Sequence, residues 1–383
     1  MINSLKRGIR QLGSRRIYIY MMLIVPIACT FFFLNLMKEG LPLKVPVAMV
    51  DMDHSPTSRN ITRNLAAGEL IDITRRAETF NDAMRSVQEG KTYGFFYIPR
   101  GFEREALSGR TPTLSFYCNM SYYVPGSLSY KGFKIIAVGT SGNIINATIA
   151  QAGLGDLLGS GVTMPVATQV HPLGNPWMNY NIYLTPSFLF GLLALIIMTV
   201  TVTSITTEIK YGTAPEWIAT AGGSIRKALV GKLFPQFVIF CVVGIAIEAV
   251  MFRYLHFPFH CPAWIMILAM ILFVAASQAF GIIATEIAPN LRISLIIVSL
   301  TGILSFSVAG FSFPVDKMYG YIAIFAYIIP IRYLFLIYID QALNGIPLFY
   351  SRIYFAALLA FTLVPWLGLG RLKKKCLNPV YVP

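Results

Sequence analysis

At three places in the 383-residue chain, ionisable and aromatic residues stand close enough together to do chemistry. Glu208, Lys210, Gly212, Thr213, Glu216 and Trp217 make a short polar and aromatic stretch of the kind that docks a partner protein. Trp217 is expected there as an exposed anchor rimmed by charge. Glu248 and Glu286 interrupt apolar runs, where a carboxylate either handles a substrate or a proton or sits at a solvated interface. Glu248 stands late in its run and is expected at the outer surface, in water; Glu286 is expected near the inner end of the next run. Asp51, Asp53 and His54 could hold a metal or act as catalysts. Acidic residues after a strand more commonly form turns and helix caps, and no second cluster completes such a site.

Other reactive residues form no pattern. The five cysteines have no metal-type spacing and suggest no disulfide framework, and the histidines make no His-Glu-x-x-His pair. His256 and His260 are four apart, but Pro258 and Pro262 make that stretch a loop. The only Gly-Lys pairs, Gly90-Lys91 and Gly231-Lys232, lack the rest of a Gly-x-x-x-x-Gly-Lys-Ser/Thr loop, so this chain is not expected to bind ATP through one.

The elements that position these residues are set by composition. Hydrophobic residues make up 56% of the chain and charged ones 13%, about half the charge of an ordinary soluble domain, which holds about 25%. Mean hydropathy is +0.63. Apolar runs at Ile17–Met37, Ile182–Ile205, Ala228–Phe252, Ala263–Thr285, Leu291–Phe313 and Ile353–Leu369 each approach or exceed the roughly 20 residues a bilayer-spanning helix needs. The fold class expected is a polytopic α-helical membrane protein of six spans.

Of the net charge of +14, most sits beside these runs. Residues 6–16, the segment from Glu208 to Lys232, Glu286 with Arg292, and Arg371–Lys375 together hold fourteen basic and three acidic residues. Residues 38–178 hold thirteen and eleven. The positive-inside rule therefore puts both ends and the Glu208–Lys232 loop in the cytoplasm, and residues of about 40–178 outside. The basic residues flank spans rather than interleave with base-reading groups, so nucleic acid is not an expected partner; the lipid bilayer is. Two short apolar pieces on either side of Pro330 would add a seventh span and move Arg371–Lys375 outside. A re-entrant hairpin over residues 314–345 keeps the charge rule.

The expected organisation is an amphipathic interfacial helix at 1–16, with Ile2, Leu5, Ile9 and Leu12 on its apolar side, then a first span at 17–37. An external α+β domain follows at 38–178. Residues 179–375 carry spans two to six with a loop at 206–227, and 376–383 form a cytoplasmic tail. Within the external part, strands are expected at Val45–Val50, Leu70–Ile73, Gly94–Ile98 and Thr113–Tyr117. Helices alternate with them at Thr57–Ala67, Asn81–Gln88 and Phe102–Leu107; long helices are expected from Pro125 to Leu158, and one more strand at Val166–Val170.

Six stretches, in order, resemble the ABC-2 type transporter permease family, in its branch with a large external domain after the first span. They are Val47–Ser55, Tyr93–Pro99 with Phe102-Glu103, Asn175-Pro176 with Pro186, Thr207–Ala221 with Gly231–Pro235, Ala309–Pro314 and Ile329–Tyr333. Pro215 and Ala221 depart from the family pattern, where a leucine and a proline are usual. The resemblance implies a permease subunit, not itself an enzyme, of an exporter that moves drug-like or lipid-like molecules out of the cytoplasm or inner leaflet of a bacterial inner membrane. It also implies ABC ATPase subunits that bring ATP and Mg, a homodimer or a heterodimer with a paralogue, and a periplasmic adaptor with an outer-membrane channel as further candidate partners. Glu208, Lys210, Gly212, Thr213, Glu216 and Trp217 would form the ATPase-coupling loop; Phe311, Phe313, Pro314, Pro330, Arg332 and Tyr333 would belong to the hairpin and pathway. An ion-coupled secondary transporter and a non-transporting membrane-anchored sensor are the alternatives. A neighbouring gene for an ATP-binding cassette protein separates them from the exporter.

Overall fold

Long apolar runs with few charges can satisfy their backbone in a bilayer as helices, and the computed structural model builds them so. It describes residues 2–40, 42–108, 110, 112–151, 174–175 and 179–378, with backbone alone at 107 and 140–151. In chain order, α1 (Ile2–Ser14) precedes α2 (Arg16–Leu36). The alternating part follows: β1 (Val45–Asp51), α3 (Pro56–Ala66), β2 (Ile71–Arg76), α4 (Phe80–Gln88), β3 (Gly94–Ile98), α5 (Phe102–Leu107), β4 (Ser115–Cys118) and α6 (Tyr123–Gln151). Then come α7 (Tyr180–Lys210), the short α8 (Ala214–Thr220), α9 (Ile225–Tyr254), α10 (Ala263–Ile287) and α11 (Leu291–Val308). Last are α12 (Gly320–Ile328), α13 (Pro330–Leu343), α14 (Leu348–Leu367) and α15 (Leu369–Leu377). The expected strand at Val166–Val170 and the helical stretch beyond residue 151 lie outside the described residues.

The chain divides into two units, 1–40 with 172–383, and 41–171. In the first, α2, α7, α9, α10, α11 and α14 are, among the described residues, the six helices long and apolar enough to cross a membrane. Helix α7 is its axis, with 72% of its most apolar window buried. At 31 residues it runs about 46 Å, more than the roughly 30 Å hydrocarbon layer, so its last turns, with Glu208 and Lys210, reach beyond the apolar zone. Helix α11 stops at Val308, not at Phe313 as expected. Gly310 adopts φ +101°, and Arg332 Nη1 donates to the Ala309 carbonyl at 3.0 Å, a cation closing a helix C-terminus.

Helices α12 and α13 bend by 79° where they meet. Ile329 is extended (φ −99°, ψ 119°), the conformation forced on a residue before proline, and Pro330 has no N–H with which to continue the first helix. Nine residues of α12 span about 14 Å, too little to cross alone.

In the second unit the strand order is β2-β1-β3-β4, with β1 parallel to β2 and β3, and β4 antiparallel to β3. Val47 and Met49 of β1 face Ile61, Leu65 and Phe102, while Ala48 and Val50 face Ala83 and Phe95. This is the period-two division of a strand buried on both faces. Thus α3, α5 and α6 cover one side and α4 the other. Ser55 caps α3 by accepting from Ser58 N at 3.0 Å, and Thr79 caps α4 by accepting from Asp82 N at 3.2 Å. The mixed sheet inserted in a helical membrane protein matches the expected fold class.

Candidate coupling loop and its buried charge cluster

Helix α8 stands at the tip of the loop between α7 and α9. Pro215 occupies its first turn, where a missing N–H costs nothing. Gly222 and Gly223, both at positive φ, end it where the expected closing proline is absent.

Behind α8 lies a charge cluster. Glu208, 6% exposed, accepts a bidentate pair from Arg7 (Nε 3.1 Å, Nη2 2.8 Å) and a bond from Lys232 Nζ at 2.5 Å. Thr213 Oγ1 donates to the same carboxylate. Lys232 is fully buried, and its ammonium stands 4.8 Å from the centre of the Trp217 ring, within cation–π range. The Trp217 indole N–H donates to Ser4 Oγ at 3.3 Å, and Ser4 in turn donates to the Ala228 carbonyl at 2.8 Å. Gly8 lies against the Lys232 backbone, where a Cβ would come within 2.7 Å of the carbonyl oxygen. The cluster therefore ties α1, α7, α8 and α9 together. Burying Lys232 and Glu208, with the half-buried Arg7 beside them, is tolerable because each charge meets an opposite one in good geometry.

This corrects two expectations. Trp217 is 0% exposed and packs among Ile205, Ile218, Leu229, Leu233 and Leu372; it anchors the loop from within instead of presenting itself to a partner. Glu208, expected at a rim, is the centre of the cluster. The outward side of the loop carries Lys210, Tyr211, Gly212, Glu216 and Ala219, with Arg226 and Lys227 at the start of α9, all exposed. The Glu216 side chain is 75% exposed and lies 3.9 Å from Arg7 Nη1.

Sequence reasoning missed Ser4, Arg7, Lys232 and Cys376 as members of this site. The expected apolar side of α1 is only partly the packed one: Leu12 is buried and Leu5 half-buried, but Ile2 and Ile9 are exposed, and Ser4 and Gly8 are buried in their place. Their spacing of four was the available signal. Cys376, read as tail, is buried on α15 beside Leu369 and Leu372, again at helical spacing. Burial pushes its thiol up to about 12.

The hairpin residues are only partly brought together. Phe311 is buried, its ring 4.7 Å from that of Phe335, and its carbonyl accepts from Tyr183 Oη at 2.6 Å. Pro330 is buried, Arg332 caps α11, and Tyr333 Oη donates to the Tyr327 carbonyl at 2.8 Å. Phe313 and Pro314 are exposed. Glu248 is 4% exposed, and its Oε1 has no hydrogen-bond partner, against the expected solvated carboxylate. Helix α9 continues past Glu248 to Tyr254, and the following loop folds back so that His260 N bonds the Ala342 carbonyl at 3.0 Å. Glu286 is half-buried against Gly368, its Oε1 unpartnered. Among the described residues no group of three or more His, Cys, Asp or Glu side chains is placed to hold a metal.

Residues 16–369 match the family described as ABC-2 family transporter protein, so six spans, an inserted sheet unit and the loop just described belong to a chain that is a member of that family. No curated protein sequence matches the chain.

Proposed function

We propose that the chain is the permease subunit of an ABC-2 exporter, energised by separate ABC ATPase subunits that bring ATP and Mg, and exporting hydrophobic or amphipathic molecules. The observation that carries this reading is the contrast across α8. Its inner side is fixed to three other helices through Trp217 and the Arg7–Glu208–Lys232 cluster, while Glu216 on its outer side, with Lys210, Tyr211 and Arg226 on the flanking parts of the loop, is open to a partner. A helix held this way moves with α1, α7 and α9, so a push from an ATPase would reach two spans directly. On this reading Gly212 and Thr213 set the loop's turn, and the α12–α13 hairpin with Phe311 and Tyr333 borders the pathway. Two permease subunits, identical or paralogous, would enclose that pathway in a bacterial inner membrane, with residues of about 40–178 on the periplasmic side and an adaptor and outer-membrane channel beyond. Basic flanks at residues 6–16, 226–232 and 371–375 support that orientation.

The test is co-purification with a co-expressed ABC ATPase subunit. Tyr211→Ala with Glu216→Ala should lower its recovery about tenfold or more, at unchanged thermal stability of the permease. Equal recovery from the double variant would reject α8 as the docking element.

Glu248 supports one competing reading, ion-coupled transport, since a lone carboxylate deep in a span is a functional candidate. Substrate efflux driven by a proton gradient in nucleotide-free vesicles would favour it over the ATPase-driven mechanism.

A further inference from the structure

The inserted unit holds a feature that the transport reading leaves unused. Strands β1, β2 and β3 are parallel, and β1 lies between the other two. The chain leaves β1 for α3 on one face of the sheet and leaves its neighbour β2 for α4 on the other. Loops that part to opposite faces open a crevice at the carboxyl edge of the sheet, the place where open parallel sheets take ligands. Here the crevice is a cleft of about 1070 Å³.

Its walls are strongly basic. Arg59 and Arg63 come from α3, Arg76 from the end of β2 and Arg100 from just past β3; Asp51 and Glu78 are the acidic lining residues. The Asp51 carboxylate is already engaged, accepting from Asp53 N and His54 N at 3.0 Å and from Ser58 Oγ at 2.7 Å. Arg59 Nη1 donates to the His54 carbonyl at 2.8 Å. Among the described residues, the side chains of Arg63, Arg76 and Arg100 make no hydrogen bond or ion pair. Arginines from three separate segments thus line one cleft with their donors unspent. A planar fork of donors suits the oxygens of a phosphoryl group better than a single charge would.

We propose that this cleft binds a phosphate-bearing anion through Arg63, Arg76 and Arg100. The same chemistry would serve a free phosphate ester or the headgroup of an anionic lipid. The unspent arginine donors suit an anion and not an apolar cargo molecule, a role distinct from that of the membrane pathway.

Calorimetry on the full chain in phosphatidylcholine nanodiscs tests this with two probes, inorganic pyrophosphate and monomeric dihexanoyl phosphatidylglycerol. Saturable binding of at least one is expected, falling about tenfold or more in Arg63→Ala/Arg76→Ala, partly recovering in Arg63→Lys/Arg76→Lys, and unchanged in Arg85→Ala on α4. Pyrophosphate binding alone assigns a soluble phosphate ester; binding of the lipid alone assigns a headgroup. Both alanine positions are exposed and unpartnered, so the variant's melting temperature should match that of the parent chain. Absence of saturable binding by either probe, or binding equally strong in the double alanine variant, would overturn the proposal.

Discussion

Arginines and carboxylates meet in both units of this molecule, with opposite outcomes. Behind α8, Arg7 and Lys232 share one buried carboxylate, and each cation has its counter-charge within hydrogen-bond distance. In the inserted unit, Arg63, Arg76 and Arg100 line open space with no partner among the described residues. Charge compensated inside the fold fixes one element to another and has little left to offer a ligand. Uncompensated charge in a cleft costs little while water covers it and remains available for binding. The same residue types thus read as architecture in one region and as recognition in the other.

The largest expected effect breaks the compensated side. Glu208→Ala leaves Lys232 buried with no counter-charge, and removal of one member of such a buried set costs about 3–5 kcal/mol. Thermal melts of detergent-solubilised protein should show a large loss, and the double variant Glu208→Ala/Lys232→Met should recover much of it. If Glu208→Ala alone melts like the parent chain, the cluster does not hold the loop. Trp217→Ala should cost a similar amount, about 3–5 kcal/mol, because it removes a buried aromatic and the ring over Lys232. Poor expression or melting, in place of a selective loss of ATPase binding, is its expected signature.

A smaller effect belongs to the turn beside the arginine cleft. Asp53 accepts from Gly101 N at 2.7 Å and Glu103 N at 3.1 Å. Burial raises its pKa, but the Ser55 hydroxyl and these backbone N–H groups outweigh it and hold the carboxyl below the ordinary range. With the folded value depressed, the stabilisation is complete above the unfolded value, about 3.9, and is lost as pH falls through the lower folded value. Asp53→Asn should therefore cost about 0.3–1 kcal/mol at pH 7, the worth of a carboxylate charge at a helix N-terminus, with the gap to the parent chain closing below about pH 4. A gap that stays constant down to pH 2 would remove the carboxylate from this account. The smallest effect is that of Lys210→Ala. The residue is exposed, and its contact in the structure is with the Tyr211 ring, 5.8 Å away. Melting should shift by less than about 1 kcal/mol, and a larger shift would mean a packing role that the geometry lacks.

What the sequence made legible follows from the range of the forces involved. The six spans depend on hydropathy over about 20 consecutive residues, and they lie where the apolar runs lie, with ends displaced by a few residues. The strand and helix alternation at 45–118 was readable from period-two patterning and from caps such as Ser55 and Thr79. The site was readable only in part. That a polar and aromatic loop joins α7 and α9 was visible, but which way Trp217 faces depends on Ser4, 213 positions away, and on Lys232. No local pattern carries such a pairing. The burial of Glu248 escaped for the same reason, since the loop that bonds Ala342 lies far along the chain from the carbonyl it meets. The arginine cleft is spread over four segments that only the sheet order brings together.

The central claim is that α8 is held from its inner side and presents its outer side to solvent, on the proposed orientation the cytoplasm. Ala214 and Ala219 sit on this one helix, the first 0% exposed and the second exposed, and cysteine replaces alanine with little change in volume. In a background freed of the five native cysteines, a membrane-impermeant maleimide should label Ala219→Cys rapidly in inside-out vesicles and leave Ala214→Cys nearly untouched, with added ATPase protecting position 219. Equal labelling at the two positions, or labelling of Ala219→Cys only in right-side-out vesicles, would contradict the account.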